Sequence, residues 1–253
     1  MKKKIRFTSS RATRLCGVLS SGLGGAERGA VVLCHGFLSS KDSRTGQSLE
    51  KELNSRGLAT FRFDYFGHGE SEGRFEDITV SEAVDDTFRA LRRVEEEGFE
   101  SLGLMGSSFG GLASLVAASR RPDLLALALK SPVSDRLIRL RSLWQGVDIE
   151  NWRKQGFISF KDGAGNPRRL NVGFLDEAAT ISGHSHAARI SVPTFIVHGS
   201  RDESVPLADS IKLNGLLPRG SLEIIPEADH RYSRPSDFDR MIAAIADFLD
   251  ARL

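Results

Sequence analysis

The sequence predicts an α/β fold built on a mostly parallel sheet, and three observations predict it. Short apolar runs of strand length alternate with amphipathic stretches of helical length along most of the chain. Two of these runs, residues 30–34 (Ala-Val-Val-Leu-Cys) and 125–129 (Leu-Ala-Leu-Ala-Leu), are apolar at every position, as a strand covered on both faces requires. Finally, Gly106-Ser107-Ser108-Phe109-Gly110 falls between a strand-length run and a small, apolar, helix-like stretch at 110–119. That is the strand–turn–helix setting in which Gly-x-Ser-x-Gly presents a serine.

Each element has its own signal. Residues 4–8 and 14–19 alternate apolar and polar and read as two half-buried strands joined by a short turn. A Gly-rich loop leads to the strand 30–34, which ends in His35-Gly36-Phe37. Residues 45–56 read as a helix with Leu49 and Leu53 on one face, stopped by Gly57. The strand 58–64 follows and runs into Tyr65-Phe66-Gly67-His68-Gly69-Glu70-Ser71. Thr79 and Glu82 have capping-box spacing, and Val84, Phe88, Leu91 and Val94 carry the apolar stripe of the helix they open, as far as Gly98. The strand 101–105 and the helix 110–119 flank the serine motif, with Pro122 just past the helix end. The strand 125–129 leads to Ser131-Pro132-Val133-Ser134-Asp135, after which regular alternation breaks down until Ile190. It resumes with a strand at 192–199, a helix at 207–217, a strand at 221–225 and an amphipathic closing helix from Pro235 carrying Phe238, Met241, Ile245 and Phe248.

Composition narrows the function. With 253 residues and 40% apolar content the chain is long enough for one large domain or a domain with an insertion. The formal charge of +2 gives no reason to expect nucleic acid. The basic start Met1-Lys2-Lys3-Lys4 is followed by Arg6, Arg11 and Arg14 instead of an apolar segment, so it does not read as a signal peptide. No apolar run approaches the length of a membrane span. Cys16 and Cys34 lie in apolar strand-like runs and read as buried small side chains, not a disulfide framework. A cytoplasmic protein, monomer or homodimer, is expected.

In open α/β sheets ligands bind at the carboxyl ends of the strands. The polar residues just past each strand are His35, Asp64, Ser108, Ser131, Asp135, Asp202 and His230. A serine nucleophile needs a base, and the base needs an orienting carboxylate. His230 follows the last strand and Asp202 the strand before it, so Ser108, Asp202 and His230 are the candidate catalytic set. The plainer alternatives are a tight-packing turn for Ser108, a surface loop histidine for His230 and a helix cap or an ion pair with Arg201 for Asp202. Glu203, Asp229 and Asp135 are rival carboxylates. Two backbone donors for an oxyanion are expected from Phe109, next to the serine, and Phe37, in the loop after the third strand. His35 and His68 read as loop-fixing residues. His184-Ser185-His186 is not a zinc pattern, since nothing nearby completes it. No metal or cofactor is expected.

Taken together, His35-Gly36-Phe37, the Asp64 to Ser71 run, Gly106-Ser107-Ser108-Phe109-Gly110, His198-Gly199-Ser200-Arg201-Asp202 and Ala228-Asp229-His230 resemble the α/β-hydrolase family, in its Ser…Asp…His order. Within it the chain is most similar to small bacterial carboxylesterases of the cinnamoyl/feruloyl esterase type, which share a stretch like that from Asp64 to Glu76. It departs from many of them in having Ser107 before the nucleophile. The resemblance implies an eight-stranded, mostly parallel sheet flanked by helices, a core of residues 1–135 and 191–253, and a small cap, 136–190, inserted after the sixth strand. It implies serine hydrolysis of small-molecule carboxylic esters with small or aromatic acyl groups. A thioesterase, an aminopeptidase-like peptidase and a non-catalytic ligand-binding protein remain as alternatives. The insert holds both tryptophans, Trp144 and Trp152, with Phe160 nearby, so these three are candidate substrate contacts; equally, a small cap needs them for its own core. The insert's nine Arg/Lys against five Asp/Glu read either as an attraction for anionic substrates or as a solvated basic face.

Overall fold

In the computed structural model, which describes residues 1–22, 27–136, 146–162 and 165–253, all eight expected strands pair into one sheet. Along the chain the strands are β1 (Lys2–Thr8), β2 (Arg14–Ser20), β3 (Ala30–Cys34), β4 (Ala59–Asp64), β5 (Leu102–Ser107), β6 (Ala126–Lys130), β7 (Phe157–Lys161), β8 (Pro167–Asn171), β9 (Thr194–Gly199) and β10 (Gly220–Ile225). The large sheet runs β1-β2-β4-β3-β5-β6-β9-β10, and β7 and β8 form a separate hairpin. The β1–β2 and β2–β4 pairings are antiparallel, and every pairing from β4 to β10 is parallel.

The solidly apolar strands are covered on both faces. In β3, Ala30 and Val32 pack into one core with Leu104, Leu112 and Leu91, while Val31 and Leu33 pack into a second with Leu49, Leu53 and Met241. The helices supplying these layers are α1 (Arg44–Ser55) and α8 (Pro235–Asp250) on one face, and α2 (Val80–Glu96) and α3 (Phe109–Ala118) on the other. Thr79 caps α2 as its spacing predicts, its hydroxyl accepting from the Glu82 amide at 3.1 Å. Both cysteines are buried and unbridged.

Where the sequence shows no regular alternation, the structure has α4 (Ile149–Gln155), the β7–β8 hairpin, α5 (Val172–Thr180) and α6 (His184–Ala187). These pieces are too short to display a period: in β7 only Ile158 and Phe160 turn toward the core while Ser159 and Lys161 are exposed, too few positions to mark a face in the sequence. Trp152, Phe174 and Leu175 are their buried anchors on the main core. The hairpin lies over the segment between β4 and α2, where Asn171 Nδ2 donates to Asp77 Oδ1 at 2.7 Å, and α5 is tied to the start of α2, where the Ser81 amide donates to Glu177 Oε2 at 2.7 Å. A helix α7 (Leu207–Leu216) joins β9 to β10. Among the described residues no helix is long and apolar enough to cross a membrane.

Candidate active site

Parallel strands bring the carboxyl ends of β3, β5, β6, β9 and β10 to one edge, and the loops that leave them meet there. Ser108 sits alone between β5 and α3 with φ 52° and ψ −114°, a conformation that L residues rarely adopt. Its backbone is held by three hydrogen bonds: its amide donates to Lys130 O, and its carbonyl accepts from Gly111 and Val133. The flanking glycines make the turn possible. A Cβ on Gly106 would lie 2.6 Å from the Gly110 carbonyl, and one on Gly110 would lie 2.5 Å from the Cys34 carbonyl. Strain of this kind is of order 1–3 kcal/mol. Ser108→Gly should therefore raise the melting temperature by a few degrees, the relief exceeding the roughly 0.5–1 kcal/mol that glycine's unfolded-state freedom takes back. An unchanged or lowered midpoint in calorimetry would remove the claim of strain.

The structure brings Ser108, His230 and Asp202 into one line. His230 Nε2 lies 3.2 Å from Ser108 Oγ, and His230 Nδ1 lies 2.7 Å from Asp202 Oδ2. Asp202 Oδ1 accepts from the amides of Ser204 and Val205 at 2.9 and 2.8 Å, and its carboxylate is fully buried. Burial alone would raise the Asp202 carboxyl. The hydrogen bonds from His198, His230 and the Val205 amide outweigh it and hold the group ionised well below the usual carboxylate range.

The rival carboxylates are turned elsewhere. Glu203 accepts from the His230 backbone amide at 3.3 Å, Asp229 from the Ser233 amide at 2.9 Å, and Asp135 from the Ser182 hydroxyl at 3.1 Å. Two neighbours have no counterpart in the sequence-based reading of the site. Lys130, buried at the end of β6, donates from Nζ to the His230 carbonyl at 2.7 Å, so the His230 backbone is gripped at both its N–H and its C=O. Burial pushes the Lys130 amine down to about 8. His198, fully buried in β9, lies 3.3 Å from Asp202 Oδ2 and accepts from the Ser210 hydroxyl at 2.7 Å. His198 stands in the sequence as the first residue of the run that ends at Asp202, with nothing to give it a role of its own; nothing in the local sequence marks Lys130, because its partner is 100 residues away.

The loop after β3 runs against the serine: a Cβ on Gly36 would be 3.4 Å from Ser108 Cβ. Phe109 is the first residue of α3, so its amide is one of those a helix cannot satisfy internally. The Phe37 and Phe109 rings meet edge to face at 6.0 Å, and Phe174 of α5 closes on both, at 5.6 and 6.2 Å. His35 fixes this loop. Its Nδ1 donates to the Gly36 carbonyl at 2.8 Å, and its Nε2 accepts from the Tyr65 amide at 3.2 Å. Burial, aided by the nearby His68, pushes the His35 imidazole down to about 3. Below the ordinary histidine value of about 6.5 the unfolded chain takes up a proton that the folded chain refuses, so stability falls as pH drops from about 6.5 toward 3. His68, also lowered by burial, adds to that slope. Urea midpoints of the parent should decline across this window and those of His35→Gln less steeply; parallel slopes would contradict it.

The Asp64 to Ser71 run is a structural clasp. The Asp64 carboxylate accepts from the amides of Lys41 and Glu70 and from Lys41 Nζ, while its carbonyl accepts from the Ser71 hydroxyl at 2.6 Å.

A cavity of about 750 Å³ opens beside Ser108 and His230, between the loop after β3, the start of α1 and Phe238. Neither Trp152 nor Phe160 lines it: Trp152 is buried in the main core, and the Phe160 ring lies 6.5 Å from that of Phe75. Trp144, Arg139 and Arg141 lie outside the described residues. Among the described residues no cluster of three His, Cys, Asp or Glu side chains is placed to hold a metal ion.

Comparison with known proteins gives three findings. The family described as serine aminopeptidase, S33, matches residues 25–147. The mouse protein described as palmitoyl-protein thioesterase ABHD10, mitochondrial, is 27% identical over 231 residues, covering 87% of this chain and 75% of that one; the uncharacterized YfhR of Salmonella typhimurium is 28% identical over 235 residues, covering 90% and 74%. Among solved structures, Est1E of Butyrivibrio proteoclasticus with ferulic acid bound superposes with a TM-score of 0.88 at 25% identity, covering 98% of each chain.

Proposed function

We propose that this chain, a member of the α/β-hydrolase family, is a serine hydrolase that cleaves carboxylic esters of small or aromatic acyl groups through an acyl-serine intermediate. The observation that carries the reading is the line from Ser108 Oγ through both ring nitrogens of His230 to the buried Asp202, at 3.2 and 2.7 Å. In that line His230 Nε2 takes the hydroxyl proton as Ser108 attacks the ester carbonyl. Asp202 holds the proton on Nδ1 and stabilises the imidazolium that forms. The tetrahedral oxyanion is held by the amides of Phe109 and Phe37, each such donor worth about 3 kcal/mol to the transition state. Its charge also lies at the positive end of α3. His230 returns its proton to the departing alcohol, then activates the water that releases the acid.

Residues 136–190 act as a cap. Their buried Phe174 packs on Phe37 and Phe109, so the same residues that supply the oxyanion amides carry the seam between core and cap. A cap so placed shields the acyl carbonyl from bulk water.

Thioester cleavage is the second reading, favoured by the likeness to the mouse thioesterase across most of this chain. The same residues serve it with a thiolate as leaving group. Peptide cleavage at free amino termini is less well supported, since three of the four candidate acids near the cap, Asp148, Glu150, Asp176 and Glu177, are engaged: Asp148 accepts from the Asn151 amide, Asp176 pairs with Arg153, and Glu177 accepts from the Ser81 amide. Turnover of p-nitrophenyl and methyl hydroxycinnamate esters beside matched thioesters tests the proposal, together with labelling by a fluorophosphonate probe. Absence of both turnover and labelling would favour a non-catalytic ligand-binding protein.

A further inference from the structure

We propose that the substrate of this site carries an anionic group, a carboxylate or a phosphate, which Arg44 and Arg231 hold in the cavity beside Ser108. The inference rests on reading Ser108 as the nucleophile and adds the class of substrate.

Of the cations around the cavity, these two arginines are the ones without an acidic partner among the described residues. Among the described residues five Lys and Arg side chains and one acid, Asp162, line it. Three of the cations are occupied. Lys41 is paired with Asp42, Asp64 and Glu70, Arg62 with Asp42 and Glu50, and Lys130 is spent on the His230 carbonyl. Asp162 is itself neutralised by Arg168. Arg44 and Arg231 are left, and among the described residues neither is in an ion pair.

Both are positioned for a ligand. Arg44 is the first residue of α1, and its guanidinium lies 3.6 Å above the centre of the Phe238 ring, which is itself a wall of the cavity. Stacking of this kind fixes the plane of the guanidinium and leaves its N–H donors pointing sideways, free for a planar or tetrahedral anion. Arg231 follows His230 directly, so the clamp on the His230 backbone also sets where Arg231 leaves the chain. The two arise from elements far apart in sequence yet face one space with the reactive serine. An ester with a neutral tail would leave both exposed cations to water alone. A tail ending in a carboxylate or phosphate gains charge-assisted, forked hydrogen bonds. Both arginines are exposed, so the effect weakens with salt.

The test compares p-nitrophenyl hexanoate with the mono-p-nitrophenyl ester of adipic acid, which has the same chain ending in a carboxylate, and with the corresponding ω-phosphonopentanoate ester. The readout is the ratio of kcat/KM for each charged ester to the neutral one. The parent should favour at least one charged ester by about tenfold or more at low salt. Whichever ester is favoured distinguishes a carboxylate from a phosphate ligand. In Arg44→Gln/Arg231→Gln the ratio should fall toward one, and in Arg44→Lys/Arg231→Lys it should be partly kept. Because the ratio is internal to each variant, loss of folded protein does not mimic the result. A parent ratio near one for both charged esters, or a ratio that survives the double Gln variant, overturns the inference while leaving the esterase reading intact. Failure of Ser108 to label with a fluorophosphonate overturns the esterase reading itself, and this inference with it.

Discussion

Replacement of Ser108 by Ala is expected to remove ester turnover, lowering kcat by on the order of 10⁴–10⁶-fold. The Ser108 hydroxyl is the one that meets the base, His230 Nε2, at 3.2 Å; Ser107 also lines the cavity but, among the described residues, its hydroxyl has no such bond to His230, and the Ser131 hydroxyl is bonded to Tyr232. The change leaves the fold intact. The turn is held by main-chain hydrogen bonds to Lys130, Gly111 and Val133, none of which uses the side chain, and alanine retains the same backbone strain. Circular dichroism and melting should therefore match the parent while p-nitrophenyl ester turnover disappears. Turnover that persists at even a hundredth of the parent rate would move the nucleophile elsewhere.

The second large effect is at Asp202. Changing it to Asn should lower kcat by about 10⁴-fold near neutral pH. The physical reason lies in what each carboxylate oxygen does. Oδ1 accepts two backbone amides, from Ser204 and Val205, and only an oxygen can stay there. An Asn side chain is thereby forced to present its NH₂ to His230 Nδ1. That drives the proton onto Nε2, where it faces Ser108 Oγ and blocks the acceptor that the attack requires. The buried site loses its negative charge as well, so the imidazolium of the transition state has no partner. Binding of substrate should change little, and the loss should appear in kcat with KM nearly constant. An Asn variant within tenfold of the parent would show that Glu203 or Asp229 orients the imidazole instead.

Much of this site is legible in the sequence because the fold is so regular. Each strand-length apolar run became a strand of the main sheet, and each polar cluster that follows one lies at the sheet edge because parallel strands all end on the same side. Ser108 could be recognised from the glycines around it, since only Gly at 106 and 110 lets two backbone segments pass so closely. The insert was not legible. Its helices and hairpin are four to nine residues long, and what organises them is contact with the β4–α2 segment and with Phe37 and Phe109, not any period of their own. The aromatic residues of the insert accordingly gave little guidance to the cavity. Trp152 is buried away from it, and the walls are built largely by the loop after β3, the start of α1 and the residues around His230.

By itself the sequence determined the α/β class, the order of the eight main-sheet strands along the chain, and Ser108, Asp202 and His230 as the residues to test. These follow from local properties: hydrophobic periodicity, turn chemistry and position after a strand. Tertiary structure alone decided which carboxylate faces His230, that a buried lysine and a glutamate grip its backbone, and that Arg44 and Arg231 share a cavity with no ion-pair partner among the described residues. Each of these depends on groups dozens to more than a hundred residues apart in the chain, side chain against backbone at 2.7 to 3.3 Å in the clamp and side chains on one cavity wall in the arginine pair. No local pattern encodes such distances; the sheet order and the packing of its loops do.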